Sequence, residues 1–419
     1  MAAFSPAPSP ARTRSAGTGE VPVRALDERP FTIVCLSPQR WDADLPTNRQ
    51  QLMVRAAQRG HTVVFVETSD FLARHLLRVV TGPARRDTLR ELVSSRRVAP
   101  GIFARKALNA LPWGHSRGFA NAVNCRLTAR AVRRVVRRLP QPAVLWIYDP
   151  CTAPMIGACG EDVVAYDCVD DYSEQTEDAQ TAAFVADADR ETARRADLVF
   201  ATARSLFERH RQTNPSTHHV PNVGDFGHFS AAADPAFAAP DVRELRSPVV
   251  GFVGNITSAK VDLALLEALA SSRPAWTLLL VGPVRADAQE AFERISRLPN
   301  VHWAGPKDYA EVPRYVAALD VALIPYVANP YTRSCFPLKT YEYLAAGKPV
   351  VASGLPELAG IGPDVALVDG PEAFVAAVER ALEQRTEEDH ERRVRLAAAN
   401  TWDGRLDRLL GLITEQLGR

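Results

Sequence analysis

From Phe31 onward, short apolar runs alternate with stretches whose apolar residues recur at helical spacing. The runs are FTIVCLS (31–37), TVVFVE (62–67), AVLWIYD (143–149), VVAYDC (163–168) and a further one over 197–202. Nearly every position in them is apolar, as a strand buried on both faces of a parallel sheet requires; a half-exposed strand would alternate. Helical segments are expected near 48–60, 116–139 and 174–195. Strand–helix alternation of this kind predicts a doubly wound α/β domain.

The pattern pauses over 226–246, which is Ala/Pro-rich and poorly periodic and reads as a linker. It then restarts with PVVGFVG (248–254), WTLLLVG (276–282), NVHWAG (300–305), DVALIPY (320–326), PVVAS (349–353) and DVALV (364–368). Helices are expected between these runs near 262–272, 286–298, 308–318 and 337–346, and after them over 371–384 and 388–418. The expected fold class is α/β, with two Rossmann-like doubly wound domains facing a central cleft. The expected division is a disordered tail over 1–28, a first domain over 29–225, the linker 226–246, a second domain over 247–385, and a C-terminal helix over 386–419. The tail, rich in Ala, Ser, Pro and Arg, contains no apolar stretch of signal-peptide length.

Charge changes this picture in one place. The formal net charge of +1 argues against a general nucleic-acid binder, yet residues 71–138 hold sixteen Arg or Lys against Asp87 and Glu91 alone. Such a stretch suits an anionic partner, a phospholipid surface or a diphosphate-bearing acceptor, or else forms a solvated helix face. The six cysteines never pair as C-x-x-C, and four lie in or beside apolar segments. They read as reduced, mostly buried thiols of a cytosolic protein rather than a disulfide framework or zinc site. No stretch of about 18 uncharged apolar residues suggests a membrane span.

In an open parallel sheet, ligands bind beyond the carboxyl ends of the strands, so the loops there carry the chemistry. After DVALIPY a loop leads into a helix expected to begin near Phe336 or Pro337. Free first-turn amides and the helix dipole would seat a diphosphate, with Arg333 and Lys339 adding positive charge on either side. Glu342, less than two turns in, would repel a phosphate but can accept two hydrogen bonds from a vicinal diol such as a ribose. Gly347 and Pro349 supply the stop.

The run Ser334-Cys335-Phe336-Pro337-Leu338-Lys339-Thr340-Tyr341-Glu342, continued to Gly347-Lys348-Pro349-Val350, resembles the donor-binding signature of retaining GT-B glycosyltransferases of family four. That signature has two glutamates separated by seven residues, a small-residue stretch and G-x-P-V. Glu342 matches the second glutamate, which the resemblance assigns to the donor ribose. Ser334 stands where the first, sugar-contacting glutamate would be, and Cys335 and Pro337 replace glycines flanking the phenylalanine. A second match is Gly254-Asn255-Ile256-Thr257-Ser258-Ala259-Lys260, where Lys260 keeps the place of a diphosphate-gripping lysine. Asn255 replaces an arginine, a loss of a bidentate phosphate ligand that Arg333 or Lys339 could offset. Asp262 reads as the cap of the next helix. Third, His219-Val220-Pro221-Asn222-Val223-Gly224-Asp225 resembles a V-P-N-G-V-D segment and reads as a tight turn at the hinge.

The first half is less telling. Arg49, near a helix start, could reach a diphosphate or be a plain surface arginine. Asp149, Asp167, Asp170 and Asp171 crowd two strand ends; Asp149 or Asp170 is the candidate to receive the acceptor's proton or bind its hydroxyls. Asp42-Ala43-Asp44 has metal-binding D-x-D spacing, but sits in a polar loop and is read as chance.

The resemblance implies a nucleotide-sugar donor held by the second domain, a glycan or lipid-linked acceptor met by the first, and transfer with retention of configuration. Catalysis would rest on stabilising the departing diphosphate through the Phe336 helix start and Lys260, without a metal or other cofactor. It also implies that the 388–418 helix returns to the first domain with Trp402 as an anchor. The charge of 71–138, separately, would suit peripheral contact of a cytoplasmic protein with an anionic membrane. Two rival expectations stay open: a GT-B nucleotide-sugar epimerase, and a non-catalytic nucleotide-sugar-binding protein.

Overall fold

A computed structural model describes residues 29–43, 47–68, 94–112, 114, 116–176, 178–384 and 386–419. The expected tail, Asp44 and much of the basic segment lie outside them. The first sheet has eight strands: β1 (Thr32–Leu36), β2 (Thr62–Glu67), β3 (Arg96–Ala99), β4 (Ile102–Lys106), β5 (Ala143–Ile147), β6 (Val163–Cys168), β7 (Leu198–Ala201) and β8 (Thr217–His219). Their order is β3-β4-β2-β1-β5-β6-β7-β8, parallel except where β3 pairs antiparallel with β4. The second sheet comprises β9 (Val249–Val253), β10 (Thr277–Val281), β11 (Val301–Gly305), β12 (Val321–Pro325), β13 (Val350–Ser353) and β14 (Val365–Leu367), ordered β11-β10-β9-β12-β13-β14 and wholly parallel. The apolar runs are buried on both faces as their composition demands: β1, β5, β9, β10 and β12 have no exposed position.

Each sheet reverses its winding beside its first strand, between β1 and β5 and between β9 and β12. Strand-end loops diverge at such a switch point and leave a crevice. The loops so placed are 37–43, 148–151, 254–260 and 326–334, and the candidate residues of the motifs fall largely within them. This is the GT-B arrangement of two Rossmann-like units.

The structure corrects several elements. The hairpin β3–β4 and the short β8 were not expected, because RRVAPGIFARK is too charged to read as a buried strand; it forms an edge, where charge is tolerated. The stretch 226–246 is no loose tether: Phe229, Ala232, Ala238, Ala239 and Val242 are buried in the second domain's core. The expected continuous 388–418 helix is two helices, Glu387–Ala398 and Trp402–Leu417, broken where the Thr401 side chain caps the second by accepting from the Gly404 amide. The first stays on the second domain, with Arg392 and Arg393 both on the buried Asp364. The second crosses over, and Trp402, Leu406, Leu409 and Ile413 join Trp146 and Phe200 in the first domain's core. No helix among the described residues is long and apolar enough to cross a membrane.

The crossing helix is tied by a dry ion pair. Arg405 Nη2 lies 2.9 Å from Asp167 Oδ1 at the end of β6, with side-chain exposures of 1% and 0%. Burial raises the Asp167 carboxyl's pKa, and Arg405 opposes that shift. Removing one partner of such a pair leaves the other charge buried and uncompensated. Arg405→Met is therefore expected to destabilise the protein by about 3–5 kcal/mol in chemical denaturation, and adding Asp167→Asn to recover most of the loss. Two single substitutions whose effects simply add would show that the pair carries no coupling.

Candidate functional site

The second domain supplies three elements to the crevice. Gly254, at the end of β9, holds φ = +152°, and a Cβ on it would lie 3.1 Å from Lys339 Nζ. The β9 loop is thus closely apposed to the lysine. Lys339 donates to the Tyr326 hydroxyl at 3.1 Å and sits over the Phe252 and Tyr326 rings at 5.1 and 5.4 Å. Burial works against its charge, but Tyr326, Tyr343 and Glu342 outweigh burial and raise its pKa, so it stays an ammonium. Lys260, from the β9 loop, lies 4.8 Å over the Tyr331 ring. Both lysines act on the Cys335 thiol, which burial nonetheless pushes up to about 12. Cys335 therefore lies near both cations and near Asp170, which also raises its pKa, and it is an inert thiol rather than a nucleophile. All six cysteines are free and buried, as their setting suggested.

The helix after this loop is shorter than expected. It spans Lys339–Ala345, not a start at Phe336 or Pro337, because Leu338 acts as N-cap. The amides of Thr340, Tyr341 and Glu342 already donate to Pro337 O and Leu338 O. Positive charge at the site therefore comes from side chains more than from a helix terminus. Arg333 is exposed at the end of a four-residue turn, Pro330–Arg333, and is not a leading influence on Cys335 or Lys339. Asn255 accepts from Arg285 Nη2 at 3.3 Å, so an arginine does approach that position, from the loop after β10. Asp262 caps its helix through the Leu265 amide at 2.9 Å, as expected.

Glu342 retains some exposed surface although protein surrounds its carboxyl. Burial raises its pKa to about 7, with Lys339 opposing and Asp225 adding to the shift. Ser334 is held across the cleft: its hydroxyl lies 3.1 Å from that of Ser205, which donates to Glu357 Oε1 at 2.7 Å. The Glu357 carboxylate, from the second domain, also accepts the Arg204 and Ser205 amides at 2.6 and 2.9 Å, capping helix Arg204–Arg211 of the first. A carboxylate on free first-turn amides is a favourable latch. Phe336 and Pro337 are buried, and the Phe336 carbonyl accepts from Asn222 of the hinge at 2.8 Å. Leu338 packs against the first domain's core.

From the first domain, Arg49 is 4% exposed, donates to the Tyr172 hydroxyl and Gln39, and stacks 5.2 Å over the Tyr148 ring. It is a buried cleft residue, not a surface arginine. Asp170 accepts from the Tyr331 hydroxyl at 3.5 Å, across the domains. Burial raises its pKa while Lys260, Arg49 and Tyr331 oppose that rise. Arg49, Tyr172, Asp170, Tyr331 and Lys260 thus form one cluster spanning the cleft. The other strand-end carboxylates do not join it. Asp167 is the partner of Arg405, and Asp171 accepts from Arg209 and Ser173 at 2.5 and 2.6 Å. Asp149 Oδ1 caps the turn at Pro150 through the Cys151 amide at 2.9 Å and lines a separate small cavity of about 50 Å³ with Ser37, Glu67 and Asn121.

One potential metal-ligand group occurs among the described residues: Cys168, Asp189 and His210, with ligand atoms within 4.8 Å of one another. Asp189 is already shared by the Tyr166 hydroxyl and by Arg209 at 3.5 Å, so its charge is met by protein. Asp42 pairs with Arg40 at 3.2 Å.

The residues that sequence reasoning missed are Tyr331, Tyr172, Arg285, Ser205 and Glu357. Tyr331, Arg285 and Glu357 follow strands β12, β10 and β13, so the strand-end rule could have raised them; nothing local marks Tyr172 or Ser205. A raised carboxylate pKa costs stability above the unfolded value, so the Glu342 contribution is lost as pH climbs from about 4.5 to about 7. Without ligand, Glu342→Gln should match the wild type near pH 5 and be more stable by about 1–2 kcal/mol at pH 8, the shift being discounted for partial exposure. A constant difference across that range in thermal denaturation would contradict it.

Comparison with known proteins agrees with this geometry. Residues 247–384 match the family model described as glycosyl transferases group 1. The chain is 37% identical over 194 residues to "Putative teichuronic acid biosynthesis glycosyltransferase TuaH" of Bacillus subtilis (strain 168), covering 44% of this chain and 48% of that protein. The chain thus spans about half the length of the curated relative it matches. Among solved structures, sucrose-phosphate synthase of Thermosynechococcus elongatus superposes with a TM-score of 0.68 at 18% identity, covering 93% of this chain and 99% of that one. Anabaena HepE in complex with UDP and glucose gives 0.63 at 17% identity, covering 92% and 99%. The chain therefore has the GT-B fold, and its residues 247–384 match the glycosyl transferases group 1 model.

Proposed function

We propose that the chain moves a sugar from a nucleoside-diphosphate donor to a polysaccharide or lipid-linked glycan, with retention of anomeric configuration. The observation that carries this reading is the convergence of Lys260 and Lys339 on the Cys335–Phe336 loop, with Glu342 one turn beyond Lys339. Two ammonium groups near one loop, Lys260 beside Asp170 and Lys339 beside Glu342, fit a diphosphate, and a carboxyl poised near neutrality fits a ribose diol. The departing diphosphate's charge is met by Lys260 and Lys339, with Arg49 facing them, so this reading requires no metal. Groups placed where charge develops, in a site closed to water, are the main source of rate in such transfers. Asp170 stands opposite Lys260 as the acceptor-side carboxyl, and the donor phosphate itself takes the acceptor's proton.

HepE was solved with UDP and glucose, and TuaH is described as acting in teichuronic acid biosynthesis. Both favour a nucleotide-sugar donor and a cell-surface glycan acceptor here, with the protein working on the cytoplasmic side of the membrane and its basic segment, 71–138, against the lipid. Ser334, where the resemblance expects a carboxylate, is engaged by Ser205, which keeps the non-catalytic rival in play.

A thermal-shift screen of UDP-, GDP-, dTDP- and ADP-sugars should single out one nucleotide, with Glu342→Ala weakening its binding about tenfold to a hundredfold. Lys260→Ala should lower transfer about 10²- to 10³-fold while leaving nucleotide binding measurable. Binding without hydrolysis or transfer across an acceptor panel would favour the non-catalytic protein, and conversion of donor alone to an isomer would favour the epimerase.

A further inference from the structure

Helix Gly118–Val136 has two faces that the site described above does not use. Phe119 is 78% exposed, the largest exposure among the described large apolar side chains. At 100° per residue, Arg126, Arg130, Arg133, Arg134 and Arg137, just past the helix end, fall on the same stripe as Phe119, about 100° wide; all five are exposed. Between Glu91 and Asp149 the sequence contains eleven Arg or Lys and no Asp or Glu. Some exposed helix arginines elsewhere are paired, Arg194 with Glu191 at 2.8 Å, Arg211 with Glu208 at 3.3 Å and Arg395 with Glu391 at 2.9 Å, whereas Arg297, Arg333 and Arg408 stand singly among the described residues. Among the described residues, none of the five stripe arginines has an ion-pair partner.

The opposite side of the same helix is polar and inward. Asn121, Asn124 and Thr128 line the cavity that also holds Glu67 and Asp149 at the ends of β2 and β5. Asn124 and Thr128 hold the loop after β4 through Leu111 and Leu108, which fixes the helix against the sheet. A rigid helix thus separates a cationic outer surface from a hydroxyl- and carboxyl-lined space at the strand ends.

We propose that the Phe119–Arg137 face docks flat on an anionic phospholipid bilayer. The charge complementarity is local: the whole chain carries only +1, so a polyanion engaging the protein broadly gains little, whereas a planar surface meets the basic face alone. Phe119 suits the bilayer interface, where an apolar ring is buried at the level of the glycerol backbone. This places the proposed lipid contact of the basic segment on one helix face, and the docking does not depend on the chain being a transferase.

The test is co-sedimentation of the full chain with vesicles of phosphatidylglycerol and phosphatidylcholine, against pure phosphatidylcholine, at low salt. The wild type should partition onto the anionic vesicles only. Arg126→Glu with Arg130→Glu should lower that partition at least about tenfold, since each basic residue near the surface contributes about one unit of RT ln 5. Phe119→Ser should lower it severalfold with little change in its salt dependence. Equal partition onto neutral vesicles, no partition at all, or charge-reversal variants that sediment like the wild type would overturn the proposal, as would a preference for single-stranded RNA over anionic vesicles. Thermal shift with the nucleotide-sugar is read on the same samples: its loss with vesicle binding intact sinks the transferase reading alone, and the reverse sinks the docking surface alone.

Discussion

The arrangement of the cleft depends on one buried hydrogen-bonded junction around Asn222. Its Oδ1 accepts from Asn48 at 2.5 Å and from Arg405 at 2.7 Å, and its Nδ2 donates to the Phe336 carbonyl at 2.8 Å. Arg405 in turn holds Asp167. Four separate pieces of chain meet there: the helix after β1, the end of β6, the crossing C-terminal helix and the donor loop. A buried junction of this kind gains little net energy over an apolar one, but it tolerates only one geometry. Two residues on, a Cβ at Gly224 would come within 2.8 Å of Tyr341 Cβ, so the hinge packs directly on the helix that bears Lys339 and Glu342. The position of the donor loop is thereby referred to the first domain.

That coupling explains the electrostatics of the cleft. Asp170 comes from the first domain and Lys260 and Tyr331 from the second, so Asp170 feels those two only while the domains stay together. Glu357 on the amides of Arg204 and Ser205 adds a second tie at the far side of the loop. Between these ties the cleft sets Lys260 beside Asp170 and Lys339 beside Glu342. Such an arrangement suits a ligand with a doubly charged centre and hydroxyl-bearing ends.

Much of the donor side was legible in the chain. Lys339 and Glu342 follow β12, beside a winding reversal, and strand-end position raised them; Lys260, after β9, was raised by the family resemblance of its segment. Asp262 capped its helix as its type and place indicated. The acceptor side was less legible for a physical reason: four carboxylates stood at two strand ends, and nothing local distinguished them. Asp167 turned inward to an arginine some 240 positions away in sequence, Asp171 to Arg209, and Asp149 to its own turn, leaving Asp170 at the cleft. Arg49 was equally ambiguous, since burial of an arginine depends on partners such as Tyr148 and Tyr172 that only folding delivers.

The sequence by itself determined the class of fold, two parallel sheets wound in both directions, because hydrophobic periodicity is a local property that each segment expresses without its neighbours. It also determined which loops carry chemistry, since those follow from where strands end. Only the tertiary structure decided which carboxylate faces the cleft, that Arg285 reaches Asn255, that the last helix breaks at Thr401 and crosses over, and that the arginines of 126–137 share one unpaired face with Phe119. Those outcomes depend on contacts between residues far apart in the chain, and on desolvation that no single segment can express alone.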